Sequence, residues 1–168
     1  MKLFKKNIQQ LNFDNIDHCD SFIRKEPSLN KFKNFNGWGE KSILHYLKKN
    51  NSLCFGYIHK ENLIGFIISN YIVIEKVCEI EILLIFVKKE FRRLGIARTL
   101  IDYVLKQNFF CNIINVYLEF SDTNNVAKLF YEYYGFKNIS IRKEYYFLKN
   151  KKKEDAIILN YKKNNKIL

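Results

Sequence analysis

The segment from Ile82 to Leu105 most constrains the fold. The apolar run Ile82 to Val87 leads through Arg92-Arg93-Leu94-Gly95-Ile96-Ala97 into Ile96, Leu100, Ile101, Val104 and Leu105, which are apolar at helical spacing. A strand that turns through a glycine straight into a helix leaves the first backbone N–H groups of that helix unpaired and aimed at one spot, which makes an anion site. Gly95 lets the backbone approach the anion closely, small Ala97 keeps the helix start open, and Arg92, Arg93 and Arg98 add positive charge. Pyrophosphate fits such a turn, although an ordinary strand–turn–helix with surface arginines would read the same way. A P-loop needs a Gly-Lys-Ser/Thr ending and a dinucleotide-binding turn needs a third glycine; neither occurs here, which argues against nucleotide hydrolysis and dinucleotide binding.

Around this turn the pattern alternates. Ile16, Cys19, Phe22 and Ile23 recur at helical spacing between Phe13 and Lys25, with Asp14 as a cap and Pro27 as the stop, and Gly39 to Lys49 reads as a second short helix. Strands are expected over Leu53 to His59 and Leu63 to Tyr71, joined by Lys60-Glu61-Asn62, and over Cys78 to Val87 and Ile113 to Phe120. A helix from Asn124 to Tyr134 closes at Gly135, and strands Phe136 to Ile141 and Asp155 to Tyr161 follow, joined by a basic loop. The fold class is therefore α/β or α+β: one domain over residues 1–168, with a mixed, largely antiparallel central sheet, about four helices and a basic tail from about residue 162.

A chain of 168 residues, 48% hydrophobic, suffices for one sizeable core and is short for two. It has no uncharged apolar run of about 18 residues and no signal-peptide core near its start, which points to a cytosolic protein without a membrane partner. Cys19, Cys54, Cys78 and Cys111 are scattered without metal-ligand spacing, so neither zinc nor a disulfide framework is indicated. The net charge of +12 suits an acidic partner such as RNA or an anionic cofactor. The excess of Lys, Asn, Ile, Phe and Tyr also matches an AT-rich genome's codon bias. Without interleaved aromatic and basic residues, nucleic acid is not expected as the main partner.

Arg92-x-x-Gly95-x-Ala97 resembles the pyrophosphate-binding motif of the GNAT family of N-acetyltransferases. The resemblance runs from about Trp38 to the end of the chain. It implies acetyl-coenzyme A as co-substrate, no metal, and a cofactor site made of Ile85, Phe86, Val87, Arg92, Arg93, Leu94, Gly95, Ile96, Ala97, Arg98 and Asn124. Residues 118–131 are similar to the bacterial ribosomal-protein-alanine N-acetyltransferase (RimI) branch, which implies Glu119 as general base, Asn124 touching coenzyme A and Tyr131 protonating the thiolate. Carbonyl polarisation is expected from a backbone N–H of the strand Ile85-Phe86-Val87. Read from the residues alone, Glu119 is also an exposed strand-end charge and Tyr131 a core aromatic, while Tyr133 and Tyr134 offer hydroxyls of their own; the seven-residue step from Asn124 puts Tyr131 on its face and turns Tyr133 away.

Arg142-x-x-Tyr145-Tyr146, followed by Glu154-Asp155-Ala156-Ile157-Ile158-Leu159, is similar to segments of enzymes that acetylate protein N-termini, and Gly37-Trp38-Gly39-Glu40 resembles the loop at the other wall of their peptide groove. The resemblance implies Trp38, Tyr145 and Tyr146 as acceptor-binding residues and a protein N-terminus as acceptor, with ribosomal protein S18 as its example; a monomer is expected. A packed hairpin and a core anchor would account for the same residues. An α-amine of pKa about 7.7–8.0 suits a carboxylate base better than a lysine at about 10.4. Acetylation of lysine side chains or a small-molecule amine, and a non-catalytic coenzyme A- or RNA-binding module, remain the alternative readings.

Overall fold

The computed structural model describes residues 8–11, 40–107, 111 and 113–164. The helix expected from Phe13, together with Cys19 and Trp38, lies outside them. The elements are β1 (Ile8–Gln10), α1 (Glu40–Leu47), β2 (Ser52–His59), β3 (Asn62–Ile74), β4 (Val77–Val87), a 3₁₀ turn (Lys89–Phe91), α2 (Ile96–Val104), β5 (Ile113–Ser121), α3 (Asn125–Tyr134), β6 (Lys137–Phe147) and β7 (Lys153–Asn164). They form one seven-stranded sheet of order β1-β2-β3-β4-β5-β7-β6, in which β4 and β5 pair parallel and every other neighbour is antiparallel. The parallel pair is the one that needs a long crossover, and α2 supplies it.

Strand alternation divides the core between the two faces of the sheet. Phe55, Ile67, Ile80, Ile114, Val116 and Leu118 pack beneath α2 and α3, against Ile96, Leu100, Ile101, Val104 and Tyr131. On the opposite face Cys54, Phe66, Ile68 and Phe86 pack against Leu11 and α1 through Ile43. Four α2 side chains are buried, each contributing about 1.5–3 kcal/mol of hydrophobic stabilisation. Among the described residues no helix is long and apolar enough to cross a membrane, and Cys54, Cys78 and Cys111 are buried and in no disulfide with one another.

Several boundaries differ from the sequence expectation. Lys60 and Glu61 both take positive φ, 45° and 66°, giving the two-residue turn a hairpin wants without the usual Asn-Gly. The short strand β1, hidden in a polar stretch, pairs with β2 through Ile8↔Tyr57. The expected basic loop after Ile141 is strand as far as Phe147, and the expected tail from 162 is still β7, where Lys162 and Lys163 pair with Asn115 and Ile114. The lysines are held there by a central ladder, and Lys163 Nζ also donates to the carbonyl of Leu105 after α2 at 2.9 Å.

Candidate active site

The sheet opens beside the glycine turn. Pairing of β4 with β5 runs from Val77↔Ile113 to Ile82↔Leu118 and stops, although β4 continues to Val87 and β5 to Ser121. The cause is local: Ile68 pairs with Leu84 and Ser69 with Ile82, so Leu83 is an extra residue in β4. Such a bulge bends and twists its strand away from the neighbour. It also inverts the alternation, so that Ile80 and Ile82 face α2 before the bulge, and Ile85 and Val87 after it, while Leu84 and Phe86 face α1. Lys88 N–H donates to Ile64 C=O at 2.9 Å. Ladder alternation then sends the N–H groups of Ile85 and Val87 away from β3, into the gap.

At the gap's edge, Gly95 caps α2 with φ 79° and no side-chain hydrogen bond to the first N–H groups of the helix, the arrangement that suits an anion. A Cβ at Gly95 would meet nothing within 4 Å, so within the protein it is the backbone angle that favours glycine there. The three arginines are employed differently. Arg92 turns back, its Nε donating to the carbonyl of Val87 at 2.9 Å and its guanidinium lying 5.6 Å from the Phe86 ring centre. Arg98 lies over Tyr134 and 3.9 Å from Asp102, so part of its charge is spent within the protein. Arg93, exposed and at φ 64°, belongs to the turn itself.

Glu119, near the end of β5, faces away from α2 and α3, since its neighbours Leu118 and Phe120 are in the core beneath them. Arg142 Nη1 donates to Glu119 Oε2 at 3.0 Å, and the Tyr145 hydroxyl also bonds this carboxylate. Tyr146, buried, packs edge-on against Tyr145 at 5.2 Å. Adjacent residues of a regular strand point to opposite faces, and β6 escapes this rule by a bulge: Arg142 pairs with Ala156 and Tyr146 with Glu154, leaving Lys143, Glu144 and Tyr145 opposite Asp155. Asp155 fills the bulge, accepting from Lys143 Nζ at 2.7 Å and from the Glu144 N–H at 2.8 Å, with Glu144 at φ 50°. Those hydrogen bonds, that of Lys143 first, hold the Asp155 carboxyl below its ordinary range. Burial pushes the Glu119 carboxyl up, Tyr145 and Arg142 pull it back, and Glu81 on β4 adds a smaller upward push.

Tyr131 stands on the other face of β5, among Phe120, Phe130 and Phe136. Its buried hydroxyl bonds no described residue, and burial raises its pKa. The other two hydroxyls of α3 are accounted for: Tyr134 donates to Asp102 at 2.6 Å, and Tyr133 is 83% exposed. The Asn124 side-chain oxygen caps α3, accepting from the Ala127 N–H at 3.1 Å.

The sequence profile of the acetyltransferase (GNAT) family matches residues 18–136. The chain belongs to the GNAT acetyltransferase family. It is 28% identical over 103 residues, 61% of its own length and 68% of the relative's, to the [Ribosomal protein bS18]-alanine N-acetyltransferase of Haemophilus ducreyi. Its fold is similar to the crystal structure of the ribosomal-protein-S18-alanine N-acetyltransferase from Escherichia coli, with TM-score 0.75, 21% identity and coverage of 96% and 97% of the two chains. Arabidopsis thaliana NAA60 in complex with a bisubstrate analogue is also similar, with TM-score 0.75, 18% identity and coverage of 94% and 98%. NAA60 in complex with acetyl-CoA matches at TM-score 0.73, with 18% identity and coverage of 92% and 96%.

In this GNAT enzyme, an acetyl-coenzyme A-dependent N-acetyltransferase, the α2 terminus and Tyr131 thus lie on one face of the sheet beside the gap, and Glu119 on the other. Two features escaped the sequence reading. The Arg142–Glu119 pair joins residues 23 apart in sequence across an intervening strand. Asp155 fills a bulge that no propensity encodes, although Arg142 and Asp155 both lay within segments singled out for other reasons.

Proposed function

We propose that this enzyme acetylates the α-amino group of a protein N-terminus, of the ribosomal-protein-alanine type, by direct transfer from acetyl-coenzyme A with Glu119 as base and Tyr131 as acid. The observation that carries this reading is the Glu119 carboxylate, held by Arg142 and Tyr145 where β4 and β5 part. The α2 terminus, with Gly95, Ile96 and Ala97, would hold the pyrophosphate. The Ile85 and Val87 N–H groups would hold the acyl and pantetheine portion and polarise the thioester carbonyl.

Glu119 accepts a proton from the amine nitrogen, directly or through a water, as that nitrogen bonds to the acetyl carbon. Tyr131 donates its hydroxyl proton to the sulfur as the carbon–sulfur bond breaks, and both groups return to their starting states by exchange with solvent. Placement of the two residues on opposite faces of β5 suits a thioester lying through the gap, with the amine arriving on one side and the thiolate departing on the other. Tyr145 and Tyr146 line the amine's side, and Trp38 is assigned to the acceptor groove by sequence resemblance alone. Domain extent over 1–168 and a monomeric state belong to the same reading.

The test is coenzyme A release with a peptide beginning with alanine, beside the same peptide blocked at its N-terminus but carrying a lysine. Turnover of the free N-terminus alone is expected; turnover of the blocked peptide alone would move the protein to side-chain acetylation.

A further inference from the structure

We propose that Arg142 is the positioning residue of the base: it spans β7 to hold Glu119 as a fixed, charged carboxylate facing the acceptor amine. This rests on the reading of Glu119 as base. In register, Glu119 pairs with Ile158 and Arg142 with Ala156, so the arginine starts two strands away, about 10 Å at ordinary strand spacing, and two residues further along β7. An arginine on an edge strand of a +12 chain has open solvent to turn into. Arg142 instead reaches inward, its Nη1 meeting Glu119 Oε2 at 3.0 Å, while its guanidinium lies 5.1 Å from the centre of the Tyr145 ring.

Tyr145 bonds the same carboxylate. Arginine and tyrosine therefore brace one another as well as Glu119, and the bulge filled by Asp155 is what lets residues three apart on β6 meet there. The groups facing Glu119 among the described residues are Arg142, Tyr145 and Tyr146 from β6 and Glu81 from β4. Of these Arg142 is the cation, and it opposes both burial and Glu81. An acceptor amine that reaches Glu119 also lies near this guanidinium, which disfavours its protonated form and favours the neutral nucleophile.

The experiment compares wild type, Arg142→Gln, Arg142→Lys and Glu119→Gln. It measures kcat/KM for the alanine-beginning peptide from about pH 5.5 to about 9.5, and the titration of the Glu119 carboxyl by ¹³C NMR in the full chain. Arg142 is half exposed, with 52% of its side-chain surface accessible, so its variants should keep the fold. In Arg142→Gln the acidic limb and the NMR titration of Glu119 should both move up by about one pH unit, a loss of roughly tenfold on the acidic side that narrows at high pH. Arg142→Lys, which keeps the charge without the planar fork, should restore the limb but not the full kcat. A limb that disappears in Glu119→Gln yet stays at the wild-type pH in Arg142→Gln, with an unmoved NMR titration, overturns the proposal and leaves the base reading intact. A wild-type profile in Glu119→Gln overturns the base reading itself, and the role of Arg142 with it.

Discussion

At the scale of single residues, burial acts on both Tyr131 and Glu119 and raises the pKa of each. The buried Tyr131 hydroxyl bonds no described residue, and an unmade hydrogen bond costs folding free energy, so Tyr131→Phe should leave the melting temperature unchanged or slightly raised while kcat falls about 10²-fold or more. Calorimetry and steady-state kinetics on one preparation decide this. A large drop in melting temperature would mean that the hydroxyl is structural. For Glu119 the sign of the pH effect follows from the shift. Burial raises its pKa, so the base loses its charge at a higher pH than an ordinary carboxylate, and kcat/KM should fall as pH drops through that raised value. Glu119→Gln should abolish this limb, lower kcat/KM by about 10²- to 10⁴-fold, and keep the second rise near the α-amine pKa of about 7.7–8.0. Both residues stood out in the sequence because a spacing joined them; that they lie on opposite faces of one strand did not, since strand parity must be counted through a ladder whose neighbours are known only after folding.

At the scale of elements, the phosphate turn and the β6 bulge are the two local devices that build the site. Gly95→Ala introduces a methyl that meets nothing in the protein, so any loss comes from the left-handed angle, about 1–2 kcal/mol, or from an approaching ligand. Isothermal titration should show weakened coenzyme A binding beyond what the stability loss, read by denaturant unfolding, accounts for. Equal affinity would remove the turn from the phosphate site. In the bulge, Asp155→Ala frees the Glu144 N–H and Lys143, lets β6 slip toward regular pairing and moves Tyr145 off Glu119. KM for the peptide should rise several-fold with KM for acetyl-coenzyme A little changed; an equal rise in both would point to general loosening. The turn was legible because glycine before a helical pattern has a local cause. The bulge was not, because its cause is a carboxylate from the next strand, and the sequence between Ile141 and Asp155 is basic enough to read as loop.

At the scale of the whole molecule, the sheet is two paired blocks that share one short parallel seam. β1 to β4 form one block and β5, β7 and β6 the other, joined by six residue pairs from Val77↔Ile113 to Ile82↔Leu118, beneath the α2 crossover. Alternating helices and strands made this α/β architecture readable, since buried strands carry long apolar runs and helices carry the 3.6-residue period. The opening of the seam was not, because it depends on Leu83 being surplus to a ladder whose register is set by β3. A ligand lying in that opening touches both blocks at once, and binding only to the folded chain stabilises it by about 2.7 kcal/mol at a concentration of 100 Kd. Acetyl-coenzyme A should therefore raise the melting temperature by several degrees, at about 2–4 °C per kcal/mol for a chain of this size, whereas equimolar pyrophosphate, held by the α2 terminus alone, should raise it much less. Hydrogen exchange should locate the gain in amides of β4 and β5 near the seam. Equal shifts from the two ligands, without added protection along β4, would mean that the gap does not hold the pantetheine arm, and that the Ile85 and Val87 N–H groups serve no carbonyl.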